Sequence, residues 1–223
     1  ALRGIRPFAA VRDVWWVNRR PGLEPGVTMA DLARDYAEAV RAELDPPVDV
    51  LGVSTGGSVA LQLAADHPAL VRRLVLVCSA CRLGPEGRDG QRRVRDLAVR
   101  GELRRGGGLM MSMAGRGPVS RRLLWPLGWA MGPLLLGHGD PDLLRTIEAE
   151  DAFDLCERLP GVEVPTLLVG GDRDRFYAGG VFEETARLLP NGRLLTYEGK
   201  GHAGVVMSRR LADDVIAFLD APA

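Results

Sequence analysis

Gly52-Val-Ser-Thr-Gly56 sets a serine between two glycines, each two residues away. It lies where an apolar run, Val48-Asp-Val-Leu-Gly-Val53, meets a helix-forming one, Ser58 to Ala65. A serine at such a junction sits on a strained strand-to-helix turn that lifts its hydroxyl above the sheet edge. Glycine suits the flanking positions because they have little room for a side chain. The helix N-terminus behind the serine favours developing negative charge, so the chemistry this pattern suits is nucleophilic attack. A serine hydroxyl needs a base to take its proton, and the base needs a carboxylate to orient it. The histidines are His67, His138 and His202. His67 closes the helix after Ser54 and reads as a cap, and His138, in Gly137-His-Gly-Asp140, reads as a surface residue. His202 follows the last apolar run, in the loop Gly199-Lys-Gly-His-Ala203, and is the candidate base. Gly170-Gly-Asp-Arg-Asp174 offers two carboxylates, Asp172 and Asp174, and either could be a turn residue.

These residues need elements to bring them together. Val14–Val17, Val48–Val53, Leu74–Val77, Thr166–Val169 and Arg193–Tyr197 read as strands. Thr28 reads as the cap of a helix from Met29 to Leu44, in which Leu32, Tyr36, Ala39, Val40 and Leu44 recur at helical spacing and Pro46-Pro47 follows. Further helices are expected from Phe182 to Leu189 and from Met207 to Leu219. Strands that are continuously apolar and separated by helices predict an α/β fold, a mostly parallel sheet covered on both faces. The stretch from about Arg82 to Arg158 breaks that rhythm and reads as a mostly helical insertion, with Gly106-Gly-Gly108 as a flexible loop inside it.

With those residues in place, the chain resembles the α/β-hydrolase family, whose triad runs serine, acid, histidine along the chain. Gly52 to Gly56 is similar to the family's nucleophile elbow, so the resemblance implies Ser54 as nucleophile and the Thr55 backbone N–H as an oxyanion donor. Pro165 to Asp174 resembles the strand and turn that deliver the acid. The family places it three residues after the turn glycine, which from Gly171 gives Asp174 in preference to Asp172. Arg175 stands where the family often has proline. Glu198-Gly-Lys-Gly-His-Ala203 resembles the histidine loop. The resemblance divides the chain into a core over 1–80 and 159–223 and a helical lid over 81–158. It also implies that an HG-type glycine loop, donor of a second oxyanion N–H, and the first two or three strands of the sheet fall outside the sequence. A processed or truncated N-terminus is therefore expected.

The lid stretch holds Met111, Trp125, Trp129 and Met131, adaptable apolar side chains suited to covering an acyl or alkyl group, or simply to the lid's own packing. Glu148, Glu150 and Asp151 have no histidine at ligand spacing, so no metal and no cofactor is expected. Lys+Arg and Asp+Glu both number 29, so no charge excess points to nucleic acid or an anionic membrane. The longest uncharged stretch, Leu123–Gly137, is shorter than the roughly 18–20 apolar residues of a membrane span and carries Pro126 and Pro133. Ala1 to Phe8 has no apolar leader-like run. Three cysteines, Cys78, Cys81 and Cys156, argue against a disulfide framework and for a reducing cytoplasm. Cys78-Ser-Ala-Cys81 ends a strand instead of opening a helix, which does not suit a redox pair. The expectation is a serine esterase acting on a small, mostly apolar acyl substrate, against the alternative of a ligand binder or degenerate hydrolase with an incomplete oxyanion hole.

Overall fold

A computed structural model of the chain describes residues 2–222. Among them, four strands form one parallel sheet in sequence order: β1 Val48–Val53, β2 Val71–Val77, β3 Thr166–Gly171 and β4 Gly192–Tyr197. The helices in chain order are α1 Leu2–Ala9, α2 Met29–Glu43, α3 Thr55–Asp66, α4 Pro85–Val99, α5 Leu103–Met113, α6 Pro118–Leu135, α7 Pro141–Asp151, α8 Val181–Leu188, α9 His202–Val206 and α10 Leu211–Leu219. Alternation along the strands sorts their side chains onto two faces. Leu74, Leu76 and Leu168 join a core with Leu32 and Ala33 of α2, Leu61 and Leu63 of α3 and Phe182 of α8. Val75, Val77, Leu167 and Val169 join a second core with Val205 of α9 and Val215 of α10. Covered on both faces, β2 and β3 can be apolar almost throughout, as the sequence is there.

The parallel register fixes where the strands end. Val53 is paired with Val77, and Val77 with Val169. The residues just past these partners, Ser54, Cys78 and the turn after Gly171, therefore emerge at one edge of the sheet. At the start of α2, Thr28 Oγ accepts the Asp31 N–H while the Asp31 carboxylate accepts the Thr28 N–H, a reciprocal capping box. Those bonds to Thr28 hold the Asp31 carboxyl down at about 2.

Several expectations are corrected. Val14–Val17 forms no strand: it runs without a ladder partner among the described residues, with Trp15 and Trp16 61% and 72% exposed. Gly106–Gly108 is no loop but the middle of α5. A Cβ built on Gly107 would meet Gly132 Cα at 2.4 Å and Gly128 O at 2.5 Å, so these glycines let the α5 and α6 backbones touch. The final helix does not begin at Met207, because α9 ends just before it and α10 begins at Leu211. Cys81 and Cys156 form a disulfide, leaving Cys78 as the buried free thiol. The chain leaves and re-enters the sheet here, with an Arg82–Asp154 bridge and a Leu155 N–H to Cys81 O bond of 2.9 Å, which brings the two cysteine Cα atoms to 5.1 Å.

Candidate active site

Ser54 follows β1 and precedes α3 with φ 52° and ψ −127°, a conformation rare for any residue but glycine. Its N–H donates to Val77 O at 2.9 Å, which ties the turn to the neighbouring strand. Crowding explains only part of the glycine pattern. A Cβ on Gly52 would lie 2.4 Å from Gly56 O and 2.5 Å from Gly57 Cα, and one on Gly57 would lie 2.4 Å from Ser79 Cβ. Gly56 has nothing within 4 Å of that position, so space requires glycine at 52 and 57 and not at 56.

His202 is not in a loop: it is the first residue of α9. Its Nε2 lies 3.1 Å from Ser54 Oγ and its Nδ1 lies 2.8 Å from Asp174 Oδ2. Asp174 is buried, and its other oxygen accepts the Phe176 N–H at 3.0 Å, so both carboxylate oxygens are engaged. Asp172, the other candidate, is exposed and pairs with its neighbour Arg173. The acid turn and the histidine turn are stitched together by the Arg173 N–H to Lys200 O bond of 2.9 Å. The approach is so close that a Cβ on Gly171 would stand 2.2 Å from Lys200 O. Phe176 packs its ring 4.8 Å from the imidazole and Tyr177 stacks at 6.3 Å, limiting the ring's rotation.

Thr55 opens α3, where the first N–H groups of a helix have no intrahelical acceptor. His67 is the C-cap residue of α3 and His138 is exposed. The contacts of the apolar insertion residues lie within the α5–α6 hairpin: Trp125 against Gly108, Met111 against Gly128, and Trp129 beneath the Arg104 guanidinium at 4.7 Å. Met131 is exposed on α6. Cys78 carries no signal of a site role in the sequence. Its thiol reaches His202 O at 3.4 Å, and burial with the nearby Asp174 charge pushes its pKa up, so it is a neutral spacer behind the histidine. Among the described residues, two groups are close enough to hold a metal ion. One is Cys78, Asp174 and His202, already hydrogen-bonded as above; the other includes the paired Cys81 and Cys156.

A parallel sheet with a serine on a strained strand–helix turn, and a histidine and a buried aspartate beside it, defines a hydrolase of the α/β kind. The chain belongs to the alpha/beta hydrolase family, which it matches over residues 9–215. It is 33% identical over 187 residues to a pimeloyl-[acyl-carrier protein] methyl ester esterase of Neisseria meningitidis serogroup A (strain Z2491), covering 75% of this chain and 55% of that protein. It is 29% identical over 227 residues to a putative carbamate hydrolase RutD of Yersinia enterocolitica, covering 92% of this chain and 78% of that one. The crystal structure of MGS-M2, an alpha/beta hydrolase from a deep-sea metagenome library, superposes with a TM-score of 0.78 at 18% identity, over 90% of this chain and 75% of that one. No helix among the described residues is long and apolar enough to cross a membrane.

Proposed function

We propose that the chain hydrolyses a carboxylic ester of a small, mostly apolar acyl group through an acyl-enzyme on Ser54. The observation that carries this reading is the unbroken run Asp174–His202–Ser54, with bonds of 2.8 and 3.1 Å. His202 Nε2 takes the Ser54 proton as Oγ attacks the ester carbon, and Asp174 holds the ring so that Nε2 faces the serine. The Thr55 N–H receives the developing oxyanion at the positive end of α3. The imidazolium returns its proton to the departing alcohol, and a water activated by the same histidine then releases the acid.

Residues 81–158 would act as the lid over a core of 1–80 and 159–223, a division supported by the four consecutive helices α4–α7 between β2 and β3. Trp125, Trp129, Met131 and Met111 would supply its apolar wall: three of them keep substantial exposure, as a surface meant for a ligand does. An ester substrate agrees with the named activity of the Neisseria relative. The reading includes no cofactor, metal or nucleic-acid partner. A cytoplasmic setting is supported by the low cysteine number, and the Cys81–Cys156 pairing weighs against it.

Fluorophosphonate labelling with intact mass on the same sample tests the reading. One adduct is expected on the native chain and on Asp172→Asn. Ser54→Ala should take up none, and Asp174→Asn should label about 10⁴-fold more slowly, as loss of the orienting carboxylate slows turnover in a serine protease. A folded native chain without label would instead favour the ligand-binding reading.

A further inference from the structure

Glu150, near the end of α7, is 3% exposed. A carboxylate so far from water is costly unless several donors satisfy it. Three do. Thr55 Oγ donates to Oε2 at 2.7 Å, Gln91 Nε2 donates to the same oxygen at 3.0 Å, and Ser58 Oγ donates to Oε1 at 3.1 Å. Burial pushes the Glu150 pKa up, and these three bonds oppose the rise. Thr55 and Ser58 are three residues apart on α3, hence on one face of its first turn, and Gln91 belongs to α4. The clamp thus joins two helices of the insertion to the turn that carries the nucleophile.

That turn needs holding. Ser54 sits at positive φ, and no side chain caps α3. A strained conformation persists only where the surroundings over-determine it. An oxyanion donor is effective only when fixed before the charge develops. The Glu150 clamp acts on the residue whose N–H is the proposed donor, and it occupies the Thr55 hydroxyl. An apolar side chain could fill the same space without the desolvation cost, so packing alone does not account for a carboxylate here.

We propose that Glu150 is a positioning residue of the active site. Through the hydroxyls of Thr55 and Ser58, the insertion holds the Ser54–Thr55 turn in the conformation that presents the Thr55 N–H to the reacting carbonyl. The inference rests on the acyl-enzyme reading above and adds that the oxyanion geometry is set from the insertion as well as from the sheet.

The test is hydrolysis of p-nitrophenyl butyrate by the full chain, with melting temperature as a folding control. Thr55→Val keeps the backbone N–H and the side-chain shape but removes the clamped hydroxyl. Thr55→Val and Glu150→Met should each lower kcat by about 10- to 100-fold, less than outright loss of a donor, with KM within about twofold. The double variant should be no slower than the worse single one, because both remove the same link. Thr55→Ser, which restores the hydroxyl, should recover most of kcat. Singles that retain kcat within twofold, or whose losses multiply in the double, overturn the inference while an inactive Ser54→Ala leaves the acyl-enzyme reading standing. If Ser54→Ala hydrolyses the ester at the native rate, both fall. If Glu150→Met does not fold, Thr55→Val and Thr55→Ser, at a partly exposed position, decide the matter on the same criteria.

Discussion

Asp151 and Glu150 are adjacent acids on α7 with opposite fortunes. Glu150 has three donors, whereas neither oxygen of Asp151 has a hydrogen-bond partner and the Arg92 guanidinium stands 3.7 Å away. Burial therefore dominates and lifts the Asp151 pKa from 3.8 to about 6. A carboxyl whose pKa is higher folded than unfolded binds more protons in the native state, so its contribution falls as pH rises from about 4 to about 6 and stays low above that. Asp151→Asn cannot lose a proton and is spared this loss. Urea unfolding should show the variant gaining on the native chain between pH 4 and pH 7.5, by about 1 kcal/mol once screening around the exposed Arg92 is allowed for. A constant difference across that range would show that Asp151 does not titrate there. Nothing in the sequence separates the two acids, since the donors to Glu150 come from residues 55, 58 and 91. By contrast, Ser54 announces itself because its requirements are local: a strand, a crowded turn and a helix, all between Val48 and Asp66.

The elbow shows the same divide at the scale of elements. The G-x-S-x-G pattern gives both glycines equal weight, but only Gly52 and Gly57 are pressed against backbone or the Ser79 side chain. Gly52→Ala should abolish fluorophosphonate labelling, because its Cβ collides with the Gly56 and Gly57 backbone. Gly56→Ala, with open space around its Cβ and an ordinary φ, should label within about threefold of the native rate and gain slightly in stability from the alanine's higher helix propensity. Equal losses in both variants would refute this steric account. Strands β2 and β3 were legible because burial on both faces leaves a continuous apolar run, β1 and β4 because their short apolar runs stand between turn residues, and α2 because its buried stripe recurs at helical spacing. The misread elements depend on distant partners. Val14–Val17 has strand composition but no neighbouring strand among the described residues, and a strand exists only as part of a ladder. Gly106–Gly108 has loop composition, yet α6 presents Gly128 and Gly132 to it, and close backbone packing outweighs glycine's poor propensity.

At the scale of the whole molecule, the stretch between β2 and β3 is tied to the rest of the chain at several points. Glu150 accepts from Thr55 and Ser58 of α3, the Asp142 carboxylate of α7 accepts the Gly22 and Leu23 N–H groups, and the Cys81–Cys156 disulfide closes the base across a sequence separation of 75. Cross-linking residues that far apart restricts the unfolded chain, an effect worth about 2–4 kcal/mol in proteins generally. Arg82 adds to the same junction, reaching Glu184 of α8 at 2.6 Å and Asp154 at 3.7 Å, so the base remains tethered when the disulfide is opened. The proposed catalytic groups, Ser54, Asp174 and His202, lie at the sheet edge and not on this junction. Reduction should therefore lower the urea midpoint by the equivalent of about 2–4 kcal/mol while leaving the rate of Ser54 labelling within about twofold at low urea. Thiol counting in denaturant supplies the control, with one reactive thiol, Cys78, before reduction and three after it. Three thiols before reduction, in protein taken from a bacterial cytoplasm and blocked at lysis, would mean that the pair is open there and that hydrogen bonds and packing alone hold the insertion to the core.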